Sequence, residues 1–166
     1  YSCNIYIEEK NKMDTPPISA WFCPDVLVAE ETKRQIQQRN LKAELITAKT
    51  PIKERLEILE KHEKGEIECL ISVGVLSEGW DNPNCNIIVH LRPTLSKVFW
   101  GQSVGRGLRC AEKKTSCLVI DVSSNYTTFG PVEKLKWKLW NHRKSYLEFK
   151  NRFNWVSKQK YSEDRD

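Results

Sequence analysis

Several absences narrow what this chain can be. No G-x-x-x-x-G-K-[ST] stretch occurs, so the chain has no phosphate-cradling loop of its own. No Asp-Glu pair closes an apolar run, which leaves no obvious Mg²⁺ carboxylates. No glycine fingerprint follows the first apolar run, which excludes the common dinucleotide fold. The six cysteines, Cys3, Cys23, Cys69, Cys85, Cys110 and Cys117, include no C-x-x-C pair. They argue against a structural zinc, and no other metal site is expected. Several lie in apolar runs, where cysteine packs as a small hydrophobe; they read as reduced thiols of an intracellular protein. No apolar run is long enough to span a bilayer, and no signal peptide opens the chain. A first residue of Tyr1 in place of Met reads as a piece of something longer.

What remains is a chain of 166 residues with a net charge of +5, enough for one domain with an appendage and suited to an acidic partner such as nucleic acid or nucleotide. Residues 1–17 end in Asp14-Thr15-Pro16-Pro17 and read as linker or edge strand. Residues 18–130 alternate short apolar runs with helical patterns. Ile18–Cys23, Ala43–Thr47, Ile67–Val73, Asn86–Leu91 and Ser116–Val122 read as strands. Asp25 caps a first helix that fades near Asn40. Thr50-Pro51 opens a second, with Ile52, Leu56 and Leu59 as its apolar face and Gly65 as its stop. Apolar strands alternating with amphipathic helices indicate an α/β fold, a parallel sheet covered on both faces. Ligands of such sheets collect at strand carboxyl ends, here Pro24-Asp25, Thr47, the segment after Val73, and Arg92-Pro93-Thr94.

Two segments carry chemistry. In Gly101–Arg109, a helix turning 100° per residue sets Gln102, Arg106 and Arg109 within roughly 60° of one another. Gly105 and Gly107 disfavour that helix by about 1 kcal/mol each, which suggests close approach to the backbone there. Two forked guanidiniums and an amide on one face suit a phosphate; a solvated basic helix end is the plainer reading. After the third strand, Gly74–Pro83 crowds a glycine, a hydroxyl and a carboxylate into one loop, although Asp81-Asn82-Pro83 alone is an ordinary turn.

Together, Leu76-Ser77-Glu78-Gly79-Trp80-Asp81 and Gln102-x-x-Gly105-Arg106-x-x-Arg109 resemble motifs V and VI of superfamily 2 helicases. Trp21-Phe22-Cys23-Pro24 resembles motif IV, and the spacing through Arg92-Pro93-Thr94 looks like the DNA repair, phage and restriction-type motors. The resemblance implies a RecA-like second motor domain over residues 18–130 that binds DNA in preference to RNA. It places Arg109 as arginine finger on the γ-phosphate of ATP, Arg106 as its partner, and Gln102 on the phosphate or attacking water. Gly79, Asp81 and Gly105 would border the nucleotide. Pro24, Thr47, Val73, Gly74 and Ser77 would line the nucleic-acid track. Ser103 stands where many RNA-acting relatives carry another arginine. ATP and Mg²⁺ would be held mainly by a first RecA-like domain upstream, so the chain alone is expected to be inactive. The alternative is a non-catalytic nucleic-acid or protein-binding module that keeps the helicase fold.

Residues 131–166 change character. Lys134–Lys160 is rich in Lys and Arg with Glu148 as its one acid, and interleaves Trp137, Trp140, Tyr146, Phe149, Phe153 and Trp155. Leu135 with Leu139, and Phe149 with Phe153 and Val156, have helical spacing. The segment reads as a basic helical extension whose aromatics pack against the motor, in preference to a base-stacking surface.

Overall fold

A computed structural model describes residues 2–76, 80–112 and 114–135, together with the backbone of 153–157. Its centre is a parallel sheet of β1 (Ser19–Phe22), β2 (Ala43–Ile46), β3 (Cys69–Ser72), β4 (Ile87–His90), β5 (Cys117–Asp121) and β6 (Phe153–Ser157). The strand order is β2-β3-β1-β4-β5-β6. Ser19 lies level with Cys69 on one side and Ile87 on the other, so the amino ends of the central strands form one edge. Four strands, β1, β3, β4 and β5, are buried throughout, as a sheet covered on both faces requires.

Alternation along each strand splits the core in two. Trp21, Ile71, Val89 and Ile120 face α1 (Ser2–Lys10) and α2 (Val26–Gln37). Ala20, Phe22, Leu70, Ile88 and Val119 face the side of α3 (Ile52–Glu63) and α4 (Lys97–Gly107). Asp25 caps α2 as expected, its carboxylate accepting from the Val28 N–H at 2.8 Å. A short α5 (Asn125–Phe129) follows β5.

Three expectations are corrected. Residues 2–10 form a helix, not a linker or edge strand, because Cys3, Ile5 and Tyr6 are buried. The Tyr6 ring meets Trp21 edge-on at 5.1 Å and its hydroxyl lies 3.4 Å from Ser19 Oγ. That tertiary burial overrides a weak local pattern. On α3, Leu59 packs partly buried against the core as expected, but the fully buried residues are Ile58 and His62, whereas Ile52 and Leu56 are 75% and 61% exposed. A buried histidine, satisfied by polar partners, looks like a surface residue in sequence; the aliphatic stripe of Ile52 and Leu56 looks like core. Finally, Phe153–Ser157 is a strand paired in parallel with β5, not a helix, despite the three-residue spacing of Phe153 and Val156. Leu135 is buried against the α4 side of the core. Leu139, Phe149 and the aromatics from Trp137 to Tyr146 lie outside the described residues.

Candidate functional site

The site is built on α4. Ser96 caps it through Oγ, accepting from the Phe99 N–H at 3.2 Å. Asn125 holds the preceding loop at both ends: its Oδ1 accepts from Thr94 N at 2.9 Å and its Nδ2 donates to Arg92 O at 2.9 Å. The helix lies on the sheet through Trp100, Ser103, Val104 and Gly107. A Cβ at Gly107 would stand 2.5 Å from both Cys117 Sγ and Ile88 Cγ1. Close approach therefore explains Gly107. It does not explain Gly105, where an added Cβ meets nothing within 4 Å. Because Cys117 and Ile88 lie at the starts of β5 and β4, the arginine end of α4 sits over the amino edge of the sheet.

The helix ends at Gly107, with Leu108 as its C-cap, so Arg109 is not part of its ladder. The arginines nevertheless converge on one segment. Arg106 Nη1 donates to the Trp80 carbonyl, and its guanidinium lies 5.9 Å from the Trp80 ring centre. Arg109 Nη1 pairs with Asp81 Oδ2. Burial first, and then the neighbouring Arg109 charge, hold the Arg106 pKa below its usual value, while Asp81 opposes them. Gln102 is exposed on the same helix, and among the described residues no hydrogen bond joins it to either arginine.

Trp80 and Asp81 are held in place by two residues that the sequence did not single out. Asn82 is buried and its Nδ2 donates to His62 Nδ1 at 3.1 Å and to His62 O at 3.2 Å. His62 Nε2 lies 3.1 Å from Ser19 O. A carbonyl can only accept, so Nε2 carries the proton, Nδ1 accepts from Asn82, and the ring is neutral. Burial lowers its pKa to about 4, against the pull of the Ser19 hydrogen bond. Trp80 is buried with its ring 5.9 Å from that of His62. Nothing in the sequence marks His62, in a helix crowded with Glu and Lys, as inward.

Ser103 turns away from this surface. It is buried, donates to Trp100 O at 3.0 Å, and lies 2.9 Å from His90 Nε2. His90 stacks on Phe22 at 4.9 Å, and burial pushes its pKa down to about 3.

The remaining candidates lie at the opposite, carboxyl edge. Pro24 follows β1, Thr47 follows β2, and Val73 and Gly74 follow β3. Thr47 is fixed in a turn: its N–H donates to Thr50 Oγ1 at 3.0 Å, its Oγ1 accepts from Lys49 N at 3.1 Å, and its carbonyl accepts from Arg55. Gly74 has φ +75°, a conformation that side chains rarely adopt. With Ser72, Arg92 and Phe99 it lines a shallow depression, where the Arg92 guanidinium stands 5.0 Å from the Phe99 ring centre. Ser77 and Gly79 lie outside the described residues. The sequence-based candidates thus divide between two edges separated by the length of a four-residue strand, roughly 10–13 Å. The segment from Val73 to Asn82 joins them.

Chemically, the amino-edge cluster offers two forked cations for a phosphate and one carboxylate for a hydroxyl. Among the described residues no group of three His, Cys, Asp or Glu could hold a metal ion. Nor is any described helix long and apolar enough to cross a membrane.

Comparison with known proteins gives the same family. The Helicase conserved C-terminal domain family matches residues 7–111. A "51.5 kDa protein" of a Lactococcus phage is 31% identical over 118 residues, which is 70% of this chain and 26% of the relative. "Putative ATP-dependent helicase IRC3" of Saccharomyces cerevisiae is 33% identical over 100 residues, 60% of this chain and 14% of the relative. The chain thus spans about a quarter or less of these relatives. Among solved structures, the C-terminal domain of the DEAD-box protein Dbp5 superposes with a TM-score of 0.65 at 14% identity, covering 98% of this chain and 87% of that one; at that identity the likeness is one of fold. With more than half of its length matched, this chain belongs to the Helicase conserved C-terminal domain family, the second RecA-like domain of superfamily 2 helicases.

Proposed function

We propose that this chain is the second motor domain of an ATP-dependent superfamily 2 DNA helicase or translocase. It closes on ATP held mainly, with its Mg²⁺, by a first RecA-like domain. Arg109 is the arginine finger, stabilising charge that develops on the γ-phosphate, and Arg106 is its partner. Gln102, exposed on the same helix, orients the phosphate or the attacking water. Asp81, with Gly79, takes the ribose, and Gly105 leaves room for the nucleotide beside the backbone. Pro24, Thr47, Val73, Gly74 and Ser77 form part of the nucleic-acid track. The observation that carries this reading is the convergence of Arg106 and Arg109 on Trp80-Asp81 at one sheet edge, while Pro24, Thr47, Val73 and Gly74 occupy the other.

The arrangement also suggests how the two edges communicate. The Val73–Asn82 segment starts at the track and ends anchored through Asn82 to His62, beside the arginines. A shift of nucleic acid against Gly74 therefore bears on the segment that Arg106 and Arg109 hold. The preference for DNA rests on the likeness to the DNA-acting motors, together with Ser103, which points at His90 and adds no cation to this face.

Turnover by the full-length protein, measured with single-stranded DNA, duplex DNA and RNA, tests the reading. DNA-stimulated ATP hydrolysis is expected. Absence of turnover with every nucleic acid would favour a non-catalytic module that keeps the fold.

A further inference from the structure

Lys114 is the least conventional lysine among the described residues. Its N–H donates to Ala111 O at 3.1 Å, and its side chain is partly buried. Its Nζ donates to three main-chain carbonyls: Cys85 at 2.6 Å, Arg109 at 3.0 Å and Pro83 at 3.1 Å. An ammonium has three N–H donors, and these three acceptors use them all. Lysines ordinarily keep that group in water. Here burial lowers the pKa, and three carbonyl dipoles stand in for the lost hydration.

The three carbonyls come from the two stretches that form the candidate site. Pro83 and Cys85 lead from Trp80–Asn82 into β4, and Arg109 lies beyond the end of α4. Past Gly107 the helix ladder no longer fixes the backbone, yet an arginine finger depends on where its main chain stands. A misplacement of about 1 Å can cost on the order of 10²-fold in rate.

We propose that Lys114 is a positioning residue for Arg109: its ammonium fastens the main chain of Arg109 to the Pro83–Cys85 stretch and so sets the reach of the guanidinium. The proposal rests on the reading of Arg109 as the finger. With its three donors spent on main-chain carbonyls, Lys114 has none left to offer a ligand in this arrangement. It acts through the Arg109 carbonyl, as a point donor that can serve acceptors in three directions where a planar guanidinium cannot.

The test uses the full-length protein and single-turnover ATP hydrolysis with Arg109→Ala, Lys114→Met and the double variant. Lys114→Met should lower the rate by about 10- to 100-fold while the apparent KM for ATP stays within about threefold. In the Arg109→Ala background the same change should cost less than about twofold, because a residue acting only through Arg109 has nothing left to position. An unchanged rate in Lys114→Met, or losses that multiply in the double variant, would overturn the proposal. Full turnover by Arg109→Ala would instead refute the finger, and the role of Lys114 with it. Should Lys114→Met not fold, Lys114→Gln, which keeps a donor, carries the same comparison at an intermediate loss; a folded Lys114→Gln with parental rate counts against the proposal.

Discussion

Replacing Gly105 and Gly107 by alanine, one at a time, should move stability in opposite directions, although the two are neighbours on one helix. At Gly105 a methyl group meets nothing within 4 Å. Alanine there recovers helix propensity, up to about 1 kcal/mol. At Gly107 the methyl would stand 2.5 Å from Cys117 Sγ and from Ile88 Cγ1, well inside contact distance. Both neighbours belong to buried strands, at 2% and 0% exposure, so neither can swing into solvent. Overpacking of this kind costs about 1–3 kcal/mol, against a propensity gain that is smaller at a helix end. A net loss of about 1–2 kcal/mol follows, and the two variants should differ by roughly 2–3 kcal/mol. For a chain of 166 residues, each kcal/mol is worth about 2–4 °C. Thermal unfolding followed by circular dichroism should therefore show Gly105→Ala melting slightly above the parent and Gly107→Ala several degrees below it. If Gly107→Ala melts as high as Gly105→Ala, α4 does not rest on β4 and β5 as described.

Other perturbations probe the scaffold and the half-site. Asn82→Ala removes both donors to His62 and strands a buried Nδ1 acceptor; a loss of about 1–3 kcal/mol in urea unfolding is expected. His62 and His90 are neutral in the fold, with pKa values lowered to about 4 and about 3 by burial. Lowered folded values mean that the unfolded chain binds protons first, so their stabilisation is present above pH ~6.5 and is lost as pH falls toward 4 and 3. Within that window each histidine costs about 1.4 kcal/mol per pH unit; a melting temperature that stays level from pH 7 to 5 would contradict the burial of both rings. The chain by itself, without phosphate loop or Mg²⁺ carboxylates, should show no ATP turnover above background with or without DNA, and robust turnover by pure protein would refute the half-site.

The strands were legible because a sheet buried on both faces writes itself as short apolar runs, and Asp25 and Gly65 are signals that act within a turn of where they stand. The motif residues were legible as types and spacings, and Arg106, Arg109 and Asp81 do meet. Their geometry was less so. The reading of one helical face carried Arg109 past the true helix end, and of the two glycines Gly107 is the one with a close neighbour inside the fold. His62 and Asn82 were not marked as inward because a buried polar residue is defined by partners distant in sequence, 43 residues from Ser19 O for His62. Lys114 was missed because its acceptors at Pro83 and Cys85 stand 31 and 29 residues away. The helix at residues 2–10 was hidden for the same reason: Tyr6 is interior only because Trp21 and Ser19 are beside it.

The central claim is that Arg109 acts on the transferred phosphate. Its most direct test is steady-state ATP hydrolysis by the full-length protein, parent against Arg109→Ala, with saturating DNA. The claim predicts a fall in kcat of about 10³-fold or more with nearly unchanged ATP binding, and poor recovery in Arg109→Lys, whose point charge cannot reproduce the planar fork. Near-parental kcat in Arg109→Ala would contradict it and return the end of α4 to a solvated basic surface.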